Sequence, residues 1–192
     1  NTELKMVSPE MGIGVFATKF IPKGTITWVQ DELDIILQPE KVKTLSEEYQ
    51  ATIEKSAFRN RAGELVLCWD NSRFVNHSFK SNCLTTPYNF EIAIRDIHPG
   101  EELTDDYGYL NISEPFEAFQ EDSERTVVYP DDLLRYHELW DQQIDEAIQF
   151  IHKVPQELIN LVHEDYKLII DMNLKGERKL DSILTCYYSE AV

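Results

Sequence analysis

Asn76 and His77 stand side by side in the stretch RFVNHS, directly after an apolar run. The amide end offers donors and an acceptor, and an imidazole can serve as general base, metal ligand or hydrogen-bonding core residue. As a metal ligand His77 lacks company, because His98, His137, His152 and His163 are scattered and no HExxH spacing occurs. As a base it has Ser78 and Cys83 nearby, but no Gly-x-Ser-x-Gly turn presents a nucleophile. Two further stretches carry usable groups. Gly12-Ile13-Gly14, after Met11, lets another molecule come close to the backbone, so that main-chain N–H and C=O groups can hold a polar ligand. The third glycine of a dinucleotide fingerprint is missing. Tyr107 and Tyr109 flank Gly108 at the end of GEELTDDYGY, where phenolic hydroxyls can reach a cleft from an apolar wall. Each stretch taken singly fits equally a bend, a satisfied histidine or core tyrosines.

The elements that must position these groups read as short strands first and helices later. Residues 13–20 and 25–29 are rich in β-branched and aromatic side chains, with Pro22-Lys23-Gly24 between them, which predicts a hairpin or a tight strand corner. The device returns where residues 91–97 alternate apolar with polar, Pro99-Gly100 supplies a turn, and residues 102–107 continue extended. Residues 39–61 have helical composition, with Leu45, Tyr49 and Ile53 on one face, and ELVLCWD from Glu64 reads as a buried strand leading into Asn76. Beyond residue 112 the pattern is helical. Asp131 or Asp132 can cap a helix with Leu133, Leu134, Leu139, Trp140, Ile144, Ile148 and Ile151 as its apolar stripe. Pro155 can open a second helix with Leu158, Leu161, Val162, Ile169 and Ile170 inward and Gly176 as its stop.

The chain of 192 residues has ordinary hydrophobicity, 42% apolar, and unusual acidity, with a formal net charge of −17. That length supports one substantial core plus an extension. The acidic balance disfavours nucleic acid and anionic lipid and favours a basic peptide; residues 113–192 alone hold 18 acidic against 7 basic side chains. Cys68, Cys83 and Cys186 lie far apart without a Cys-x-x-Cys spacing, which predicts reduced thiols and an intracellular setting. No apolar run approaches the roughly 20 residues of a membrane span.

In order and spacing, GIG at 12–14, RFVNHS at 73–78, PGEE at 99–102 and ELTDDYG at 102–108 resemble the SET-domain protein-lysine methyltransferases, over about residues 8 to 110. The resemblance implies a mainly β fold, the SET or β-clip fold, with small curved sheets and a pseudoknot, to which the helical pattern beyond residue 112 adds a C-terminal α-helical extension. It places the SET domain at 1–112, with a helical insert at about 38–62, and the extension at 113–192. It implies S-adenosyl-L-methionine as methyl donor, its methionine part on the backbone of Met11, Gly12, Ile13 and Gly14. Arg73, Phe74, Asn76 and His77 would surround its amino group and adenine, with His77 acting largely through its backbone. Tyr107 would stand at the point of methyl transfer and Tyr109 would be a wall of the lysine channel.

The chain departs from the family pattern at two places. A cysteine that binds zinc in some members is Phe79 here, and no Cys-x-Cys cluster follows Tyr107, so no metal is expected. The helical segment after 112 must then close the channel and cover the adenine, with Phe116 or Phe119 as the stacking aromatic. Where many members have Tyr or Phe in the channel, a position that influences how many methyl groups are added, this chain has Asp105. The expected function is transfer of methyl groups to lysine on a basic, histone-like protein tail; the alternative is a catalytically silent SET module that binds a partner. The apolar stripes between Leu133 and Ile170 also suggest a homodimer through the extension.

Overall fold

The computed structural model of the chain describes residues 1–118 and 123–189. Its elements are β1 (Thr2–Ser8), β2 (Gly12–Ala17), β3 (Ile26–Val29), β4 (Ile35–Leu37), α1 (Pro39–Val42), α2 (Glu47–Ser56), β5 (Ala57–Arg59), β6 (Leu65–Leu67), β7 (Asn76–His77), β8 (Cys83–Thr85), β9 (Phe90–Ala93), β10 (Glu102–Asp105), β11 (Phe116–Glu117), β12 (Val127–Val128), α3 (Asp132–Ile148) and α4 (Glu164–Leu174). The strands form small sheets in the orders β1-β2-β10-β7, β3-β9-β8, β4-β6-β5 and β11-β12. This is the mainly β architecture with a helical C-terminal part that the sequence pattern indicates.

The two proline-glycine turns explain why the sheets stay small. Gly24 and Gly100 adopt φ of 92° and 84°, a backbone region that favours glycine, and each turn carries the chain from one sheet into another. The segments beside them meet at the antiparallel bridge Ile21–Ile97. The stretch around Pro22 is therefore a corner and not a hairpin, since β2 pairs with β1 and β10 whereas β3 pairs with β9. A Cβ on Gly24 would lie 2.6 Å from Cβ of Phe150, so the corner also needs glycine to admit the end of α3.

Leu133, Trp140, Ile144, Ile148 and Ile151 are buried against Ile26, Val29, Phe90 and Ile92 of the β3-β9-β8 sheet. Complete burial of such a side chain contributes roughly 1.5–3 kcal/mol, so this face anchors the extension firmly. These five positions of the stripe are thus covered by the chain itself. Leu134 and Leu139 are exposed, because the buried spacing of seven, four, four and three leaves them on the outer face of α3. A smaller core of Val15, Ala17, Ile21, Val75, Ala93, Ile97 and Leu103 lies under β2 and β10.

Several local expectations are corrected. No helix starts at Pro155: the side chain of Gln156 donates to the carbonyls of Gly24 and Ile151 and accepts from Ile26 N–H, which fixes the segment as a plug in the corner. The second helix begins instead at Glu164, with His163 Nδ1 accepting Asp165 N–H, and Gly176 follows its end at φ 75°. Leu161 and Tyr49 are exposed. Neither Asp131 nor Asp132 makes a capping bond within α3; Asp132 accepts Tyr129 N–H and binds Arg125. Strands β1, β4 and β5 carried no strong local pattern and arise from pairing with β2 and β6.

Candidate functional site

Strand β10 brings the separate stretches together. It pairs antiparallel with β2 through Glu102–Phe16 and Leu103–Val15, and parallel with β7 through Thr104–Asn76 and Asp105–His77. Ser78 N–H extends this parallel pairing to the Asp105 carbonyl at 2.9 Å. Asn82, fully buried, laces the same strand: its Oδ1 accepts Thr104 N–H at 2.9 Å and its Nδ2 donates to the Glu102 carbonyl at 2.7 Å. A buried amide satisfied on both ends holds a fixed position, since releasing either bond would strand a polar group.

Asn76 joins the glycine stretch to β10. Its Nδ2 donates to Glu102 Oε1 at 2.7 Å and to the Ile13 carbonyl at 3.2 Å. Gly14 makes this possible, because a Cβ there would stand 2.2 Å from Glu102 Oε1 and 3.0 Å from Asn76 Nδ2. Gly12, at φ 82°, faces open space: a Cβ would meet nothing within 4 Å. Met11 N–H is held by Ser8 Oγ at 3.1 Å. Arg73, exposed, lies over the ring of Phe74 at 4.7 Å, and their 3₁₀ turn is capped by the Asp70 carboxylate on Ser72 N–H.

His77 works locally. Its Nδ1 accepts the Tyr107 N–H at 3.1 Å, which puts the proton of the neutral ring on Nε2. Around it stand Phe79, Tyr107 and Phe116, with ring centroids 4.5, 5.5 and 5.5 Å away. The Arg125 guanidinium lies over the ring of Phe79 at 4.4 Å. Arg125 also ion-pairs with Asp106 and, at 2.6 Å, with Asp132, fastening the Tyr107 turn to α3. Burial leaves Asp106 with a raised pKa even beside this cation.

A cavity of about 620 Å³ opens beside these residues. Tyr107, Arg73 and Phe116 line it, as do Trp28, Glu91 and Asp105, with Phe58 of β5 and Cys68 just after β6. The Tyr107 hydroxyl donates to the Val75 carbonyl at 2.6 Å, and burial raises its pKa, so it stays protonated at neutral pH. Burial likewise pushes the Cys68 thiol up to about 12 and the Cys83 thiol well above its usual value, which makes both poor nucleophiles.

Tyr109 is a correction. It is fully buried, its ring packs edge-on against Trp140, and it does not line the cavity that holds Tyr107. Its hydroxyl donates to Asp105 Oδ1 at 2.8 Å and accepts Asp106 N–H at 3.1 Å. Tyr109 therefore orients Asp105 from the core side. Asp105 does face the cavity, beside Glu91, with which it shares a carboxyl–carboxyl hydrogen bond.

The structure adds residues that sequence reasoning passed over. Glu91 looked like a solvent-facing member of an alternating strand, yet β9 is central in its sheet and buried on both faces. Asn82 ends the family's Asn-His-Ser-Cys-x-Pro-Asn pattern but was given no role, and Arg125 lay outside every motif; a lone arginine in an acidic segment was the available signal for it. Phe119 lies outside the described residues. Among the described residues no group of three His, Cys, Asp or Glu side chains is arranged to hold a metal ion, and no helix is long and apolar enough to cross a membrane. The family model for the SET domain matches residues 12–108, just over half of the chain. A search of curated protein sequences finds no significant match.

Proposed function

From the chain's membership of the SET-domain family, we propose that it is a protein-lysine N-methyltransferase that uses S-adenosyl-L-methionine and acts on a basic, histone-like protein tail. SET domains are generally protein-lysine methyltransferases. The observation that carries the reading for this chain is the place of Tyr107, on the cavity wall with its proton committed to the Val75 carbonyl. The oxygen lone pairs are then free to accept an N–H of an incoming amine and aim its lone pair.

The residues fit the methyl donor. The open space beside Gly12 admits a group against the backbone, and Asn76, Arg73 and the His77–Phe116 aromatic pair supply polar and flat partners for its amino group and adenine. When bound, S-adenosyl-L-methionine supplies a sulfonium methyl that is already a strong electrophile, so the protein has mainly to align a neutral amine. A free lysine titrates at about 10.4, and a walled cavity lowers that value by desolvating the ammonium. The net charge of −17 draws a basic tail towards the protein.

The reading is tested by transfer of labelled methyl from S-adenosyl-L-methionine to a histone mixture and a cell lysate, with Tyr107→Phe as control. Label on lysine that disappears in the variant supports the enzyme; absence of label with every substrate rejects it. Asp105 in place of a channel aromatic favours one second reading, a silent SET module that binds a peptide. That module binds the methyl donor in calorimetry yet transfers nothing.

A further inference from the structure

The Tyr107 cavity ends on two carboxyl groups that the methyl-transfer scheme above does not use. Glu91, from the middle of β9, and Asp105, from the end of β10, are both buried, both line the cavity and share one hydrogen bond. Buried carboxylates are ordinarily paired with a cation. Among the described residues none acts on this pair: Asp70 faces Glu91, Asp106 and the Tyr109 hydroxyl face Asp105, and Tyr107, Cys68 and Cys83 complete the titratable surroundings. Lys55, Arg59 and Arg73 line the same cavity, with Glu54 and Glu114, but form no ion pair with either carboxyl. Among the described residues, the cavity therefore carries a buried carboxyl pair that no protein cation pairs with.

We propose that the Glu91–Asp105 pair receives the side-chain ammonium of the substrate lysine and takes up the proton that this amine must lose before methylation. The inference rests on the methyltransferase reading and assigns it a proton acceptor. The pair enters with one proton, shared between the two carboxyls, and one negative charge. The ammonium N–H bond breaks, its proton passes to the charged carboxyl, and the nitrogen lone pair is left on the amine. That lone pair forms the new C–N bond as the C–S bond of the methyl donor breaks, and the sulfur keeps the C–S electron pair. The methylated amine departs as an ammonium, and the neutral pair returns its extra proton to solvent. The two affinities for the proton can be matched. Burial lowers an amine from about 10.4 by up to 3–5 units, and burial pushes Asp105 up to about 6. Tyr109, by donating to Asp105, keeps the accepting oxygen turned to a fixed direction.

The test is calorimetric titration of the full chain with n-butylammonium, a lysine side-chain mimic, without any methyl donor. The wild type should bind it increasingly well as pH rises through the titration of the pair, and should not bind n-butanol comparably. Glu91→Gln and Asp105→Asn, close in shape to the native residues and checked for folding by circular dichroism, should weaken binding about tenfold or more, the loss expected for a charge-assisted bond. Absence of butylammonium binding by the wild type overturns the proposal, as does binding that is independent of pH or unchanged in folded variants. Butylammonium binding without methyl transfer to any protein would reject the enzyme reading while leaving the amine receptor standing. Transfer in the wild type with unaltered butylammonium binding in the variants would do the reverse.

Discussion

The Nδ1 of His77 accepts the backbone N–H of Tyr107 at 3.1 Å, so the histidine of the Asn-His pair acts as a bracket for the tyrosine that faces the cavity. A bracket and a general base respond differently to mutation. His77→Ala leaves a part-buried N–H without its acceptor and should cost about 1–3 kcal/mol of stability. Methyl transfer should fall because Tyr107 shifts, but the pH profile of the residual activity should keep its shape. A urea titration and a pH–rate profile check the two halves; loss of a limb near the histidine range would show that His77 moves a proton after all.

Tyr107→Phe removes a hydroxyl that donates to the Val75 carbonyl at 2.6 Å. Stability should drop by about 1 kcal/mol, the usual net value of such a bond. Turnover should fall far more, while affinity for S-adenosyl-L-methionine stays within about twofold, since Asn76 and the glycine backbone are untouched. Calorimetry of the methyl donor with both proteins, beside single-turnover transfer, separates these effects.

Gly14→Ala tests the joint between the glycine stretch and β10. The added methyl would meet Glu102 Oε1 at 2.2 Å and Val7 Cγ2 at 2.7 Å, so the Asn76–Glu102 bond must break or β1 must move. Overpacking of this kind costs typically about 1–3 kcal/mol. Methyl-donor affinity should fall together with thermal stability. Gly12→Ala differs, because it meets no atom and is strained only by its φ of 82°. Melting curves of the two variants should therefore differ in shift, with Gly14→Ala the more damaged.

The motif-bearing residues were legible because their chemistry is local: glycines at corners, an amide beside an imidazole, a tyrosine after a strand. What pairs with what was not, because β7 meets β10 from 28 positions away, and the bonds that lace the joint, from Asn76 and Asn82 to Glu102, also run between distant positions. The α3 helix was legible from its 3.6-residue spacing, yet the same spacing wrongly drew Leu134 and Leu139 inward. The segment after Pro155 was misread because Gln156 answers to Gly24 and Ile26, 132 and 130 residues away, as well as to Ile151. Tyr109 was placed in the channel wall by the family resemblance alone, which does not tell that in this chain Trp140 of the helical extension covers its ring.

Arg125 is a single cation between two carboxylates that are almost completely buried, Asp106 and Asp132. Arg125→Met keeps much of the side-chain volume on Phe79 and Tyr136 but leaves both anions unpaired. Removing one partner of such a buried pair typically costs about 3–5 kcal/mol. Denaturation in urea should show a loss in that range at neutral pH and a smaller one in acid, because burial raises Asp106 and makes it take up a proton before an ordinary aspartate does. An equal loss at both pH values would mean that packing, and not charge, explains the arginine.

The Glu91–Asp105 pair gives the fold itself a pH dependence whose sign is fixed by burial. Desolvation raises Glu91 well above its usual value and Asp105 to about 6, so the folded protein binds these protons more tightly than the unfolded chain does. The stability they contribute is fully present below the unfolded pKa of about 4. It is lost as pH rises through about 6, where Asp105 ionises in the folded state. A shift of that size corresponds to a loss on the order of 3 kcal/mol from Asp105 alone. Asp105→Asn cannot ionise, so its stability should decline less than that of the wild type between pH 4 and pH 7, and the two curves should converge or cross towards neutral pH. Melting temperatures across that range in a low-salt buffer series provide the comparison. Parallel curves would mean that the pair is already relieved of its charge at neutral pH by some other group, and they would remove the anionic carboxyl from the cavity.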